Sequence, residues 1–188
     1  MDSGFRAITK FLGLNEESHI MVRRYLIQEL KNHGKDYVGV YAGEDRYNYI
    51  LNDLHPPTNS GGIALVDKWL TLPVMGHIVA NYYNRHVSLL TNHEIGTSKS
   101  FFPLRELPPT KQKTPIMCLG LIPNHFVLRF LKDRCLLSPL SKEWNNHRSN
   151  DVEKWLEIHY AERAVCIGNY CRRIRWHQTA EEYVTDDS

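Results

Sequence analysis

The chain has 188 residues, of which 42% are hydrophobic and 23% charged, with 11 Gly and 9 Pro. This is the composition of a globular protein long enough to bury a continuous core, and it excludes disulfide-stapled miniproteins, fibrous repeats and disordered chains. Lys plus Arg number 23 and Asp plus Glu 21, and the resulting net charge of +2 is too small for bulk electrostatics to argue for nucleic acid or a membrane surface. The four cysteines, Cys118, Cys135, Cys166 and Cys171, form no CxxC pair and no Cys/His set at zinc spacing, so neither a disulfide framework nor a zinc module is expected. All four lie in the second half of the chain. No stretch approaches the roughly 18 to 20 apolar residues that span a bilayer, and Met1 is followed by Asp2 rather than by a signal-peptide pattern. The expectation is an intracellular protein, cytoplasmic or nuclear, without cofactor or metal.

Phe5, Ile8, Phe11 and Leu12 recur at helical spacing up to Gly13, which predicts a short buried helix with Asp2 or Ser3 as N-cap. A second helix is expected from Asn15, its cap, to about His33, with Val22, Tyr25, Leu26 and Leu30 as its stripe and Gly34 as its stop. Tyr47, Ile50, Leu51 and Leu54 give a third amphipathic stretch, ending in the loop run His55 to Gly62. From Asp67 to about Tyr83 the pattern Trp69, Leu72, Met75, Ile78, Val79 and Tyr82 is helical, with Pro73 marking the entry.

The next segments read as strands: Val87 to Leu90, Phe101 to Leu104 and Ile116 to Ile122. After the turn signal Pro123-Asn124-His125, the run Phe126 to Leu131 suggests an antiparallel partner for the strand before it. Helices first and strands later predict an α+β fold, a small, mostly antiparallel sheet packed against N-terminal helices. Beyond Lys132, Ser138-Pro139 and Trp144 to Asn150 read as loop, and a final helix from about Asp151 to Val165 presents Val152, Trp155, Leu156 and Tyr160. The chain thus divides into a domain over residues 1–131 and a helical C-terminal extension over 132–188, whose last residues, Glu181 to Ser188, are expected to fray. Trp144 and Trp155 are read as core.

A serine at the first turn of a buried helix and a histidine at the start of a late strand are the chemistry-bearing pair. The helix N-terminus favours a developing anion, its unpaired N–H groups suit an oxyanion, and a histidine delivered from a sheet acts as base. By spacing alone Ser3 also reads as a plain helix cap.

The stretch Asp2-Ser3-Gly4-Phe5-Arg6-Ala7-Ile8 resembles the opening of the ovarian tumour (OTU) family of cysteine proteases, Asp-Gly-x-Cys followed by an apolar or aromatic residue, Arg and Ala. Trp69 to Ala80, followed by Val87 to Leu90, resembles the family's middle block, and Asn124-His125-Phe126-Val127 resembles its closing block. The three blocks fall in order over residues 2–131, with particular similarity to OTU-like domains of fungal and transposon-associated proteins, which carry a similar Trp-containing extension. The resemblance implies a papain-type fold, a thiol-protease ancestry and deubiquitinase activity, with ubiquitin or polyubiquitin as partner. It assigns the nucleophile position to Ser3 and the base to His125, flanked by Asp2 and Asn124.

The chain departs from that pattern at three places. Ser3 stands where the family has its cysteine, no aligned aspartate precedes it, and Val127 occupies the place where the family often has Asn or Asp to orient the imidazole. Asn124 is the available substitute. A hydroxyl is much harder to deprotonate than a thiol, so the resemblance implies an impaired or inactive isopeptidase, alternatively a ubiquitin-binding pseudoenzyme. Ser3 is compatible with a trapping substitution, a natural inactivation or a truncated start. A less favoured reading is a nucleic-acid-binding module built on Tyr170, Arg172, Arg173, Arg175 and Trp176; a metal-dependent hydrolase is disfavoured because no HExxH is present.

Overall fold

The computed structural model describes residues 3–56, 70–91, 98–109, 114–123, 125–131 and 137–159. Expectations for Asp2, Trp69, Asn124, Cys135, Cys166, Cys171, the run 57–62, the basic-aromatic cluster 170–176 and the tail 181–188 lie outside those residues.

The described chain is mixed α and β. Helices α1 (Ser3–Phe11), α2 (His19–Asn32), α3 (Gly34–Val40), α4 (Glu44–Leu54) and α5 (Leu72–Tyr83) come first. Strands β1 (Val87–Leu90), β2 (Lys99–Phe101), β3 (Met117–Ile122) and β4 (His125–Arg129) follow, then two short helices, α6 (Lys142–His147) and α7 (Lys154–His159). The four strands form one sheet in the order β2-β1-β3-β4; β1 pairs antiparallel with β2 and parallel with β3, and β3 pairs antiparallel with β4. This is the expected α+β arrangement with helices preceding a small sheet.

Apolar spacing places the main core. Phe5 and Ile8 of α1, Val22, Leu26 and Leu30 of α2, and Met75, Ile78 and Val79 of α5 meet Val87, Leu89, Met117, Leu119 and Phe126 of the sheet in one buried cluster. The chain leaves α1 at Gly13, whose φ of +71° suits a residue without Cβ. Asn15 caps as expected, but what it caps is a 3₁₀ turn over Glu16–Ser18: its Oδ1 accepts the Ser18 N–H at 3.0 Å, and α2 starts only at His19. α5 begins one residue before Pro73, consistent with proline at a helix entry.

Several boundaries differ from the sequence expectation. Gly34 does not stop the helical run; the break is at His33, with φ −123° and ψ 32°, and Gly34 opens α3. The absent side chain there serves close packing, since a Cβ would lie 3.3 Å from the Tyr47 hydroxyl. α3 buries only Tyr37 and Val40, too few positions to announce a helix by periodicity. The strand expected over Phe101 to Leu104 is instead Lys99–Phe101, because the chain turns after Phe101 and sends Phe102 into a different cluster. The Trp144 to Asn150 stretch is not loop: α6 runs through it to His147, started by the Ser141 hydroxyl, which accepts the Trp144 N–H at 3.2 Å. The expected final helix begins as a 3₁₀ turn over Asn150–Glu153 before α7.

The described part of the C-terminal segment is anchored by its own core. Trp144, Val152 and Trp155 are buried with Val40, Phe102 and Leu104. Each indole finds an acceptor, Trp144 Nε1 on the Pro103 carbonyl at 2.9 Å and Trp155 Nε1 on the Glu106 carbonyl at 2.8 Å, so burial costs neither N–H its hydrogen bond.

His77 of α5 fastens this segment to the sheet. Its Nδ1 lies 3.3 Å from the Phe102 carbonyl and its Nε2 lies 2.6 Å from the Ser141 Oγ. A carbonyl accepts only, so Nδ1 carries the proton and Nε2 accepts the serine hydroxyl, which leaves Ser141 Oγ free to receive the Trp144 N–H. This assignment requires a neutral ring. Burial holds the His77 pKa down at about 4, against the weaker upward pulls of the Phe102 carbonyl and Glu143 and with His147 and Lys99 acting downward. Because the folded value lies below the unfolded one, the stabilisation is complete above about pH 6.5 and is lost as the pH falls toward 4, by on the order of 3 kcal/mol. Urea unfolding at pH 7 and pH 4.5 is expected to show this loss, and His77→Gln, destabilised at pH 7, is expected to show a smaller difference between the two pH values; an unchanged difference removes His77 as its source.

Candidate functional site

Ser3 is the first residue of α1 and is half-buried. Its hydroxyl oxygen accepts the backbone N–H of Phe126 at 3.1 Å. His125, immediately before Phe126, opens β4, pairs with Ile122 of β3 and exposes its side chain. The fold therefore ties Ser3 to the residue that follows His125, although the two lie at opposite ends of the 1–131 segment. Ser3 bonds to the strand backbone rather than to the His125 imidazole, so the structure does not couple the pair as nucleophile and base. Asp2 and Asn124 lie outside the described residues.

The local packing explains the adjacency. At Gly4 an added Cβ would stand 2.6 Å from Leu70 Cβ, 2.7 Å from Leu70 Cδ2 and 3.1 Å from the Phe126 ring, so α1 reaches β4 because position 4 has no side chain. One residue further, Phe5 is fully buried beneath the Arg23 guanidinium, whose Cζ lies 4.0 Å from the ring centroid. Arg23 Nη1 donates to the Asp53 and Leu54 carbonyls at 3.2 and 3.3 Å, which satisfies the end of α4. Phe5 thus links α1 to α2 and α4, while Gly4 and Ser3 bind it to the sheet.

The electrostatics at the start of α1 favour an anion. The first N–H groups of a helix have no intrahelical acceptor, and the first turn of α1 contains no acidic residue to oppose the positive end of its dipole. The Phe126 N–H is a further donor at position 3.

A second serine–histidine pair, Ser141 with His77, has tighter geometry but is sealed, with both residues at 2% exposure or less. It cannot meet a substrate, and its role is the structural one described above. Sequence reading missed it because the two residues belong to different elements and neither sits in a motif. Among the described residues no group of three or more His, Cys, Asp or Glu side chains is placed to hold a metal ion, and no helix is long and apolar enough to cross a membrane. Cys118 is buried in β3.

Compared with protein-family models, curated proteins and solved structures, the chain matches none.

Replacing Gly by Ala inside a helix ordinarily stabilises by up to about 1 kcal/mol. At Gly4 the clash with Leu70 and Phe126 reverses that sign, because overpacking costs about 1 to 3 kcal/mol. Gly4→Ala is expected to lower the denaturant midpoint; a raised midpoint overturns the close approach of α1 to β4.

Proposed function

We propose that the chain is an OTU-like domain of papain type, directed at ubiquitin, in which Ser3 holds the nucleophile position and His125 the base position. The observation that carries this reading is the hydrogen bond from the Phe126 N–H to the Ser3 hydroxyl, which sets a helix N-terminus against the first residues of a histidine-bearing strand. That juxtaposition suits acyl transfer. The atom at position 3 attacks the carbonyl of the isopeptide bond between the C-terminal glycine of ubiquitin and a lysine amine. The imidazole takes the nucleophile's proton and returns it to the leaving amine, and helix N–H groups receive the charge on the carbonyl oxygen.

With serine at position 3 the first proton transfer is the obstacle. His125 is exposed, and a neutral imidazole is a weak base for a hydroxyl. The protein as it stands therefore binds the ubiquitin tail with little or no turnover, acting as a pseudoenzyme, and a thiol at the same place restores reactivity. Asn124 and Asp2 remain the proposed flanking groups, Asn124 orienting the imidazole and Asp2 preceding the nucleophile. The basic-aromatic cluster 170–176 adds no observation in favour of nucleic acid.

The test is reaction with a ubiquitin C-terminal electrophile and with di-ubiquitin. Ser3→Cys is expected to form a covalent adduct while the unaltered protein does not, and adding His125→Ala to Ser3→Cys is expected to slow the reaction about 10²- to 10⁴-fold. An adduct on the unaltered protein would instead identify a serine hydrolase, and silence from both forms removes Ser3 as the nucleophile position.

A further inference from the structure

A basic cavity of about 410 Å³ lies where α3 meets the Leu104–Arg105 segment and the end of α6, and it includes neither Ser3 nor His125. Its volume is in the range of small-molecule sites. Lys35, Arg105, His147 and Arg148 contribute to its lining, and Asp36 is the one carboxylate among its described lining residues.

The backbone brings the two arginine positions to the same cavity. The Ser149 N–H donates to the Leu104 carbonyl at 2.9 Å; Arg148 immediately precedes the donor and Arg105 immediately follows the acceptor. Each guanidinium is also held from one side by a carboxylate and from another by a ring. Arg105 pairs with Glu29 and lies 5.5 Å from the Tyr37 centroid, while Arg148 pairs with Glu153 and lies 4.9 Å from the Trp144 centroid. Such bracing fixes the plane of the fork before any ligand arrives, which lowers the ordering cost of binding.

The donors are not exhausted by these partners. A guanidinium has five N–H groups. The Arg148 Nε is buried and has no hydrogen-bond acceptor among the described residues, and the second carboxylate on Arg105, from the half-exposed Asp36, stands 3.5 Å away. An incoming anion with stronger oxygen acceptors displaces Asp36 into solvent at little cost, since that contact is long and exposed. Lys35 adds a third positive charge from the exposed side of α3.

We propose that this cavity binds a small phosphate-bearing anion through the forks of Arg105 and Arg148, with Lys35 as a further counter-charge. Phosphate is the class that fits because it presents three oxygens and close to two negative charges to two planar forks, whereas a monocarboxylate satisfies only one. The inference is independent of the reading of Ser3, and it is tested on the unaltered Ser3 protein.

Calorimetric titration at low ionic strength with pyrophosphate, inorganic phosphate and acetate is the test. Pyrophosphate is expected to saturate the protein most tightly, phosphate more weakly and acetate not at all, with affinity falling as sodium chloride is raised. Arg148→Gln is expected to weaken pyrophosphate at least tenfold with the near-ultraviolet circular dichroism of the tryptophans retained, and Arg148→Lys to recover only part of the loss. Lys35→Gln, at an exposed position that leaves the fold intact, is expected to weaken it severalfold, so the proposal stays testable if the arginine variant unfolds. No saturable binding of pyrophosphate, equal binding of acetate, or unchanged affinity in Lys35→Gln together with a folded Arg148→Gln overturns the assignment.

Discussion

The seating of α1 on β4 is the constraint on which the rest of the described structure turns. Gly4 removes the side chain that would hold the two apart, and the Ser3 hydroxyl then spans the remaining distance to the Phe126 N–H. From that contact the helix axis carries Phe5 inward to Arg23, and Arg23 carries the link to the last carbonyls of α4. A buried guanidinium is costly unless its donors are used. Here both carbonyls and an aromatic face receive it, so three helices are oriented by one side chain and the first helix is oriented against the sheet by the absence of another.

The opposite side of the structure is organised by hydrogen-bonded polar groups rather than by close approach. Asn81 of α5 donates to the Tyr37 hydroxyl at 2.6 Å and accepts the Leu104 N–H at 2.6 Å, while Tyr37 donates to Glu29 at 2.8 Å. Burial beside Glu29 pushes the Tyr37 phenol well above its usual range, so it remains a donor at any pH the protein meets. Glu29 in turn faces Arg105. The chain Asn81–Tyr37–Glu29–Arg105 therefore fixes the segment after β2 against α2, α3 and α5, and the same segment supplies the carbonyls that receive both indoles of the C-terminal part.

How much of this was legible in the sequence follows from the range of each interaction. The stripes of α1, α2, α4 and α5 and the strand runs at Val87–Leu90 and Met117–Ile122 were legible because burial repeats at fixed local spacing. α3 and α6 were not, since seven and six residues hold too few buried positions, and α6 depends on the Ser141 cap and on a Trp144 whose acceptor lies far away in sequence. The role of Gly34 was misread because a glycine after a helix looks the same whether it ends the helix or makes room for Tyr47. At the candidate site, residue types and order pointed to Ser3 and His125, but the bond that fixes Ser3 on the strand comes from the Phe126 backbone, and a backbone donor leaves no mark in a sequence. The His77–Ser141 pair was invisible for the same reason of distance.

On the proposed reading of position 3, serine keeps the fold contact while weakening the chemistry. A helix N-terminus favours an anion, and environments of this kind lower a thiol pKa by at most about 5 units. Applied to a thiol, which titrates near about 8.5, such a shift yields a thiolate below neutral pH. Applied to a hydroxyl, which holds its proton about as firmly as water, it still leaves the group protonated. In the reading proposed above, the hydrogen bond that would prepare a cysteine for attack occupies a lone pair of the serine and holds it as a structural acceptor.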